Sequence, residues 1–339
     1  MPLPTYTPKD FATDQDVRWC PGCGDYAVLT AVRKALPKLG HRREDYVFVS
    51  GIGCAARFPY YMNTYGLHTI HGRSLAVATG IKLANPELQI CVVSGDGDLF
   101  SIGGNHTIHA MRRNVDLTVL LLNNRIYGLT KGQYSPTSEQ GKVTKSSPMG
   151  SPDFPVNPIA LAVASGCTLI ARTIDVDMKH FDAVYVRAME HKGTSFVEVY
   201  QDCNIFNHKA WFYASQKESK FDATVVVEHG KPLIFGKDRD KGIRLRNGSP
   251  EVVTIGHGVS EADLLVHDET DRTLAFVYSQ MAHPEFPEPI GVLYAETGKP
   301  TYDELVHEQI HAAREQRKGT EAEALQQLLH GAETWTVEQ

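Results

Sequence analysis

Apolar residues along the chain follow two alternating periods. The runs Tyr46–Ser50, Leu88–Ser94, Leu117–Leu122, Thr168–Thr173 and Ser195–Tyr200 are rich in branched side chains on successive positions. Such runs read as strands buried on both faces. Between them, Tyr26–Leu39, Arg73–Ala84, Ile102–Arg113, Pro158–Ser165 and Asp177–Glu190 repeat apolar residues at three-and-four spacing, the helical period. Two-faced strands separated by helices predict an α/β fold, a parallel sheet covered by helices on both faces. Beyond about Phe221 the alternation weakens. Leu233–Gly236 and Ile243–Arg246 flank a charged, glycine-containing turn and predict a hairpin, while Tyr302–Arg314 and Glu321–His330 predict surface helices. The expected division is a domain over residues 1–220, with its core at 52–202, and a C-terminal extension over 221–339 that packs on the core or a partner subunit.

Composition narrows the function classes. With 339 residues, 42% apolar and 22% charged, the chain is globular rather than disordered. No run reaches the ~20 apolar residues of a bilayer span, and the first nineteen residues carry acids and prolines without the apolar core of a signal peptide. The expectation is a cytoplasmic protein with no membrane role. A net charge of -6 argues against nucleic acid as the main partner. Six cysteines without an export signal point to metal binding or chemistry rather than to disulfides.

Parallel sheets bind ligands at the carboxyl ends of their strands. Here the first run ends in Gly51-Ile52-Gly53-Cys54, the second in Gly95-Asp96-Gly97-Asp98, the third in Asn123-Asn124 and the last in Gln201-Asp202-Cys203. The chemistry-bearing residues therefore gather on one sheet edge. Gly51-x-Gly53-x-x-Ala56 superficially fits a dinucleotide fingerprint, which requires an acid about 20 residues on. No Asp or Glu occurs from Arg57 through Pro86, and Pro59 interrupts the expected helix, so this reading fails. Gly95-Asp96-Gly97 suits a phosphate instead, because glycines let the backbone approach it and Asp96 offers a hard oxygen. Twenty-five residues separate it from Asn123-Asn124, enough for one helix and one parallel strand. The two motifs then end on neighbouring strands. A carboxylate, an Asn oxygen, a backbone carbonyl and substrate phosphates make an octahedral Mg²⁺ site; the plainer alternative is a turn and a polar loop.

Trp19-Cys20-Pro21-Gly22-Cys23-Gly24 is a cysteine knuckle, but no second CxxC follows to complete a zinc ribbon. Cys54 and Cys203, 31 and 180 residues beyond Cys23, lie on the strand-end edge and are the candidates for completing four ligands. Four thiolates from distant loops suit structural zinc or an iron–sulfur cluster. Cys91 inside a strand and Cys167 before another read as buried hydrophobes. His106 and His109 stand three apart on a predicted helix with no third ligand in view, so packing outweighs metal binding. His71, in His71-Gly72-Arg73, is either a plain helix start or a polar contact to a cofactor or substrate.

With these residues in view, the chain resembles the β subunit of the 2-oxoacid:ferredoxin oxidoreductases. Gly95-Asp96-Gly97 with Asn123-Asn124 is similar to the pyrophosphate motif of thiamine diphosphate enzymes. The stretch Asn123–Gln133 is similar to the β subunit, as are WCPGCG, IGCAAR, HGR and GDGDLFSIGGNHTIHAMRRN. The match spans about residues 17–215. The resemblance implies a pyrophosphate-type thiamine domain with Cys20, Cys23, Cys54 and Cys203 on a [4Fe–4S] cluster. It implies Asp96, Asn124 and the carbonyl of Ile126 on Mg²⁺. Ile52, Gly53, Cys54, Ala55, His71, Gly97, Asp98, Gly128 and Leu129 match cofactor contacts, and Arg57 and Lys131 match substrate-proximal positions, with His71 beside them. Arg rather than Lys at 57 is a choice within the family.

The implied reaction is coenzyme A-dependent oxidative decarboxylation of a 2-oxoacid with electrons passed to ferredoxin. The glutamate that thiamine chemistry needs against the aminopyrimidine would lie on an α subunit, in an (αβ)₂ assembly. The extension has the length of members acting on 2-oxoglutarate, and a guanidinium at 57 suits a second carboxylate. Pyruvate and branched-chain 2-oxoacids are the alternatives, as are a non-redox thiamine decarboxylase or synthase half and a zinc-stabilised scaffold.

Overall fold

The computed structural model describes residues 4–317 and 319–337. Its strands are β1 (Tyr46–Ser50), β2 (Tyr65–His68), β3 (Gln89–Gly95), β4 (Leu117–Asn123), β5 (Leu169–Ile174), β6 (Thr194–Tyr200), β7 (Thr224–Val227), β8 (Ile234–Phe235), β9 (Lys241–Arg246), β10 (Ser249–Thr254) and β11 (Glu288–Ala295). Eight form one sheet in the order β2-β1-β3-β4-β6-β5-β11-β7. The six from β2 to β5 are mutually parallel, while β11 pairs antiparallel with β5 and parallel with β7. A small antiparallel sheet, β10-β9-β8, contains the expected hairpin region and lies apart from the main one. The helices are α1 (Asp25–Ala35), α2 (Ser74–Ala84), α3 (Asp96–Phe100), α4 (Gly104–Arg113), α5 (Pro158–Ala164), α6 (Met178–Glu190), α7 (Phe212–Ser215), α8 (Lys220–Ala223), α9 (Arg272–Gln280), α10 (Tyr302–Gln316) and α11 (Glu321–His330). Among the described residues, no helix is long and apolar enough to cross a membrane.

The continuous apolar runs are explained by a core on each face of the sheet. Val47, Val49, Val92, Val119 and Leu121 join one cluster, with residues of α2, α4, α5 and α9. Their strand neighbours Tyr46, Phe48, Val93, Leu120 and Leu122 join the other, with residues of α1 and α6. Successive side chains point to opposite faces, so a strand sandwiched between helix layers must be apolar at every position. Cys91 and Cys167 are buried in these cores, one on each face.

Several boundaries differ from the sequence reading. The first helix stops at Ala35 and continues only as a 3₁₀ turn, Leu36–Lys38, because Pro37 cannot donate to a helical ladder. The helix expected from Ile102 begins at Gly104, after the separate short α3. The parallel edge strand β2 is new; all four of its residues are exposed, which leaves no apolar pattern to read. The region after Phe221 also holds β7, α9 and β11, so that part of it extends the main sheet beyond β5.

Candidate functional site

Parallel pairing aligns the strand ends that matter. Ser50 of β1 pairs with Val93 of β3, Gly95 with Leu122 of β4, and Asn123 with Tyr200 of β6. The chain segments leaving these strands meet in an inner cavity of about 270 Å³. Ile52, Gly53, Cys54, Ala55, His71, Asp96, Gly97, Asp98, Asn124, Ile126, Gly128 and Leu129 all line it, whereas Cys20, Cys23 and Cys203 do not. An outer cavity of about 670 Å³ shares Ile52, Gly53 and Leu129 with it and is lined by Arg57 and Arg18. Arg57 is half-buried and makes no ion pair among the described residues. Lys131 lies outside both linings; it is exposed, in a turn where its own φ is +76°. His106 and His109 stand away from the cavity on α4.

Glycine is required where the loops close. A Cβ on Gly97 would overlap the Tyr127 ring, whose hydroxyl donates to the Gly97 carbonyl at 3.0 Å. A Cβ on Gly51 would overlap the Asp98 carboxylate. That carboxylate acts as a clasp across three loops: Oδ1 accepts from Ile52 N at 3.0 Å and Gly72 N at 2.8 Å and meets His71 Nδ1 at 2.7 Å, while Oδ2 accepts from Ser94 Oγ at 2.9 Å. A carboxylate only accepts, so His71 holds its proton on Nδ1, and Nε2 is its free ring nitrogen. Asp98 is thus bound up in holding the cavity wall together, and His71 is the group that wall presents.

Asp96 is buried, and burial raises its carboxyl pKa; hydroxyl donors from Ser135 and Thr137 counter that rise. Asn124 turns its side-chain oxygen to Ile126 N at 3.2 Å. Asp96, Asn124 and Ile126 therefore offer a carboxylate, an amide oxygen and a backbone carbonyl on one cavity wall, the hard-oxygen set that Mg²⁺ takes.

The thiols assemble at the other end. The knuckle turn closes through Cys23 N donating to Cys20 O. It is tied to the loop after β6 by Gly24 N to Asp202 O at 3.1 Å and Asn204 Nδ2 to Pro21 O at 2.6 Å. Gln201 Nε2 reaches Cys23 Sγ at 3.3 Å, and Trp19 Nε1 donates to Cys54 O at 2.8 Å. The point where a Cβ on Gly128 would stand is 3.5 Å from Cys203 Sγ and 3.6 Å from Cys54 Sγ, so these sulfurs flank that glycine. Burial, then the nearby Asp25 carboxyl, pushes the Cys54 thiol up to about 12 and the Cys23 thiol further still. Among the described residues no three His, Cys, Asp or Glu side chains stand at the spacing of a single-ion site.

Asp25 was not anticipated. It begins α1, where an acid ordinarily reads as a complement to the helix dipole. Here it is fully buried, lines the inner cavity, and is pushed up to about 7 by burial; its Oδ2 has no hydrogen-bond partner. Gln201 Oε1 and Asn204 Oδ1, both beside the thiols, are likewise unpartnered. Buried acceptors without donors, beside three thiols whose pKa burial raises, mark a polar region that the protein alone leaves unfinished, and sulfur donors are the set that zinc or an iron–sulfur group takes.

Residues 51–199 match the family described as thiamine pyrophosphate enzyme, C-terminal TPP binding domain. The 2-oxoglutarate oxidoreductase subunit KorB of Mycobacterium tuberculosis is 48% identical over 340 residues, covering 97% of this chain and 88% of that one. The 2-oxoacid:ferredoxin oxidoreductase 1 subunit beta of Aeropyrum pernix is 49% identical over 197 residues, covering 58% of this chain and 62% of that one. A solved structure, 2-oxoglutarate:ferredoxin oxidoreductase from Magnetococcus marinus with 2-oxoglutarate, coenzyme A and succinyl-CoA bound, superposes with a TM-score of 0.77. It is 32% identical and covers 96% of this chain and 97% of that one.

Proposed function

The chain belongs to the β subunits of the 2-oxoacid:ferredoxin oxidoreductases, and from that premise we propose how its residues divide the work of oxidising 2-oxoglutarate. The reaction is the coenzyme A-dependent oxidative decarboxylation of 2-oxoglutarate to succinyl-CoA and CO₂, carried out with a partner subunit. When bound, thiamine diphosphate supplies a nucleophilic carbon and an electron sink, Mg²⁺ neutralises its diphosphate, and a [4Fe–4S] cluster takes electrons singly for ferredoxin.

The observation that carries the assignment is that the oxygen donors Asp96 and Asn124 share one strand-end cavity with Cys54, whose sulfur stands beside Gly128 together with that of Cys203. Asp96, Asn124 and the Ile126 carbonyl hold Mg²⁺. Gly97, lacking a Cβ, lets the Tyr127 ring close on the motif, and Ile52–Ala55, Gly128 and Leu129 line the space for the ring system. Asp98 fixes the His71 ring through Nδ1, which leaves Nε2 for the cofactor or substrate. Cys20, Cys23, Cys54 and Cys203 would hold the cluster; a group of several irons and sulfides spans more space than one ion, which suits the Cys54 and Cys203 sulfurs at Gly128 with the knuckle cysteines tied beside them. Arg57, unpaired at the shared mouth of the two cavities, takes the distal carboxylate of the substrate, and Lys131 meets substrate from the rim. The α subunit contributes the aminopyrimidine glutamate and the remaining substrate and coenzyme A contacts in an (αβ)₂ complex, which works in the cytoplasm. Residues 1–220 form the cofactor domain and 221–339 the extension packed on it.

Anaerobic purification of the complex tests this reading. Iron and acid-labile sulfide in equal amounts, with viologen reduction dependent on 2-oxoglutarate and coenzyme A, are expected. Zinc without iron would favour a scaffold, and decarboxylation without dye reduction a non-redox enzyme; either would overturn the proposal.

A further inference from the structure

Asp96 carries the diphosphate site, yet its carboxylate is oriented from outside its own motif. Two hydroxyls from the loop that follows β4 converge on a single oxygen: Ser135 Oγ and Thr137 Oγ1 both donate to Asp96 Oδ2, the latter at 2.6 Å. The other oxygen, Oδ1, takes no side-chain hydrogen bond among the described residues, and Asp96 lines the inner cavity. Ser135, Thr137 and Asp96 are all buried, so their geometry is set by protein rather than by water.

The hydroxyls are themselves held. Thr137 Oγ1 stands 2.9 Å from Asn123 Oδ1, and the Asn123 amide donates to Glu198 Oε1 at 2.8 Å, which fixes which way that amide faces. Glu198 Oε2 in turn accepts from Arg172 Nε at 2.8 Å. On the other side, Ser138 Oγ accepts from Ser135 N at 2.8 Å and donates to the Arg125 carbonyl at 2.6 Å, locking the loop. The β5–β6 ion pair thus fixes the Asn123 amide beside Thr137, and Ser138 fixes the loop that carries Ser135.

We infer that Ser135 and Thr137 are positioning residues for the proposed Mg²⁺ site. By occupying Oδ2 they turn Oδ1 toward the cavity, where the metal bridging the diphosphate would bind. Outer partners of this kind hold a ligating carboxylate in its productive rotamer, and losing one typically weakens metal binding 10–100-fold. The inference rests on the thiamine diphosphate and Mg²⁺ reading given above.

The test uses the complex with its partner subunit, stripped of thiamine diphosphate and Mg²⁺, with cofactor binding followed by intrinsic fluorescence as Mg²⁺ is titrated at fixed thiamine diphosphate. The wild-type complex gives the reference midpoint; if it shows no Mg²⁺-dependent binding, the cofactor reading fails and this inference with it. With wild-type binding established, Thr137→Val should raise the Mg²⁺ midpoint about 10–100-fold, with iron content unchanged. Thr137→Ser, which keeps the hydroxyl, should restore it. Ser135→Ala should raise the midpoint less, and it serves alone if Thr137→Val does not assemble. A wild-type midpoint in the hydroxyl-lacking variants, or the same shift in Thr137→Ser, would overturn the inference.

Discussion

At the Asp96 end of the inner cavity the buried acceptors already have donors: Asp96 has Ser135 and Thr137, Asn123 has Arg125 N, and Asp98 has Ile52 N, Gly72 N, His71 and Ser94. At the thiol end, Asp25 Oδ2, Gln201 Oε1 and Asn204 Oδ1 are buried without partners, and burial drives the Asp25, Cys23 and Cys54 pKa values up. The two ends are built from the same strand-end loops but differ in what completes them. The oxygen end is organised by protein hydrogen bonds, so its ligand enters a prepared site. The sulfur end is electrostatically incomplete as protein alone, because thiols offer weak hydrogen bonds and buried acids repel charge of their own sign. The proposed cluster would take these thiols as thiolates, so its binding would release their protons.

The strongest way to break this comparison is to remove one ligand from each end and look for separate losses. Cys54→Ala should lower iron content severely and abolish dye reduction, whereas Cys91→Ala and Cys167→Ala, in the two cores, should keep their iron. Iron loss from either core variant would overturn the ligand assignment. Asp96→Ala should do the reverse: iron stays, and Mg²⁺-dependent thiamine diphosphate retention disappears, with Asn124→Ala weakening it in the same direction. Cofactor content equal to wild type in the isolated Asp96→Ala complex would remove the Mg²⁺ site.

A smaller effect should come from the mouth, which belongs to neither end. Arg57→Met removes a charge-assisted pair with the distal carboxylate, about 2–4 kcal/mol, or tens- to several-hundred-fold in kcat/KM for 2-oxoglutarate. Turnover of pyruvate and 2-oxobutyrate should fall much less, with iron and thiamine diphosphate contents unchanged. Equal losses on all three acids would show that Arg57 does not read the distal group.

The smallest effect concerns the cost of the acids behind the thiols. Burial raises Asp175 to about 6, and its Oδ2 accepts from Asp202 N at 2.9 Å in the loop that carries Cys203. Between the ordinary carboxylate value and about 6, the folded chain keeps a proton that the unfolded chain has released. Stability of the metal-free protein should therefore fall as pH rises through that window, Asp175 contributing at most on the order of 3 kcal/mol, and Asp25, raised to about 7, extends the fall to about that pH. Asp175→Asn should flatten the slope, measured as denaturation midpoints from pH 4 to pH 7. A slope unchanged in that variant would assign it to other groups.

Much of this molecule is legible from residue order because its main constraint is local. A strand covered on both faces has to be apolar at every position, so β1, β3, β4, β5 and β6 announce themselves to within a residue or two, and the motifs at their ends fall on one edge. The same logic fails for β2, whose residues are all exposed. It fails again for β11, where Pro289 and Gly291 interrupt the pattern and Glu288 is buried against the Tyr213 hydroxyl at 2.8 Å. Pairing with an existing sheet edge, rather than intrinsic preference, makes these segments strands.

For the site, the strand-end motifs carrying Cys54, Asp96 and Asn124 were legible as cavity residues from their place after a strand. Those whose role depends on which distant groups surround them were not. An aspartate opening a helix looks like a dipole partner until Cys23, Cys54 and Asp175 close around it, and a threonine in a polar loop looks like a turn residue until the fold sets it against Asp96 and Asn123. Residue order determined the layers and which sheet edge carries the strand-end motifs. Only the tertiary structure decided hydrogen-bond partners and buried charge, because both depend on distances between segments that the order of residues does not specify.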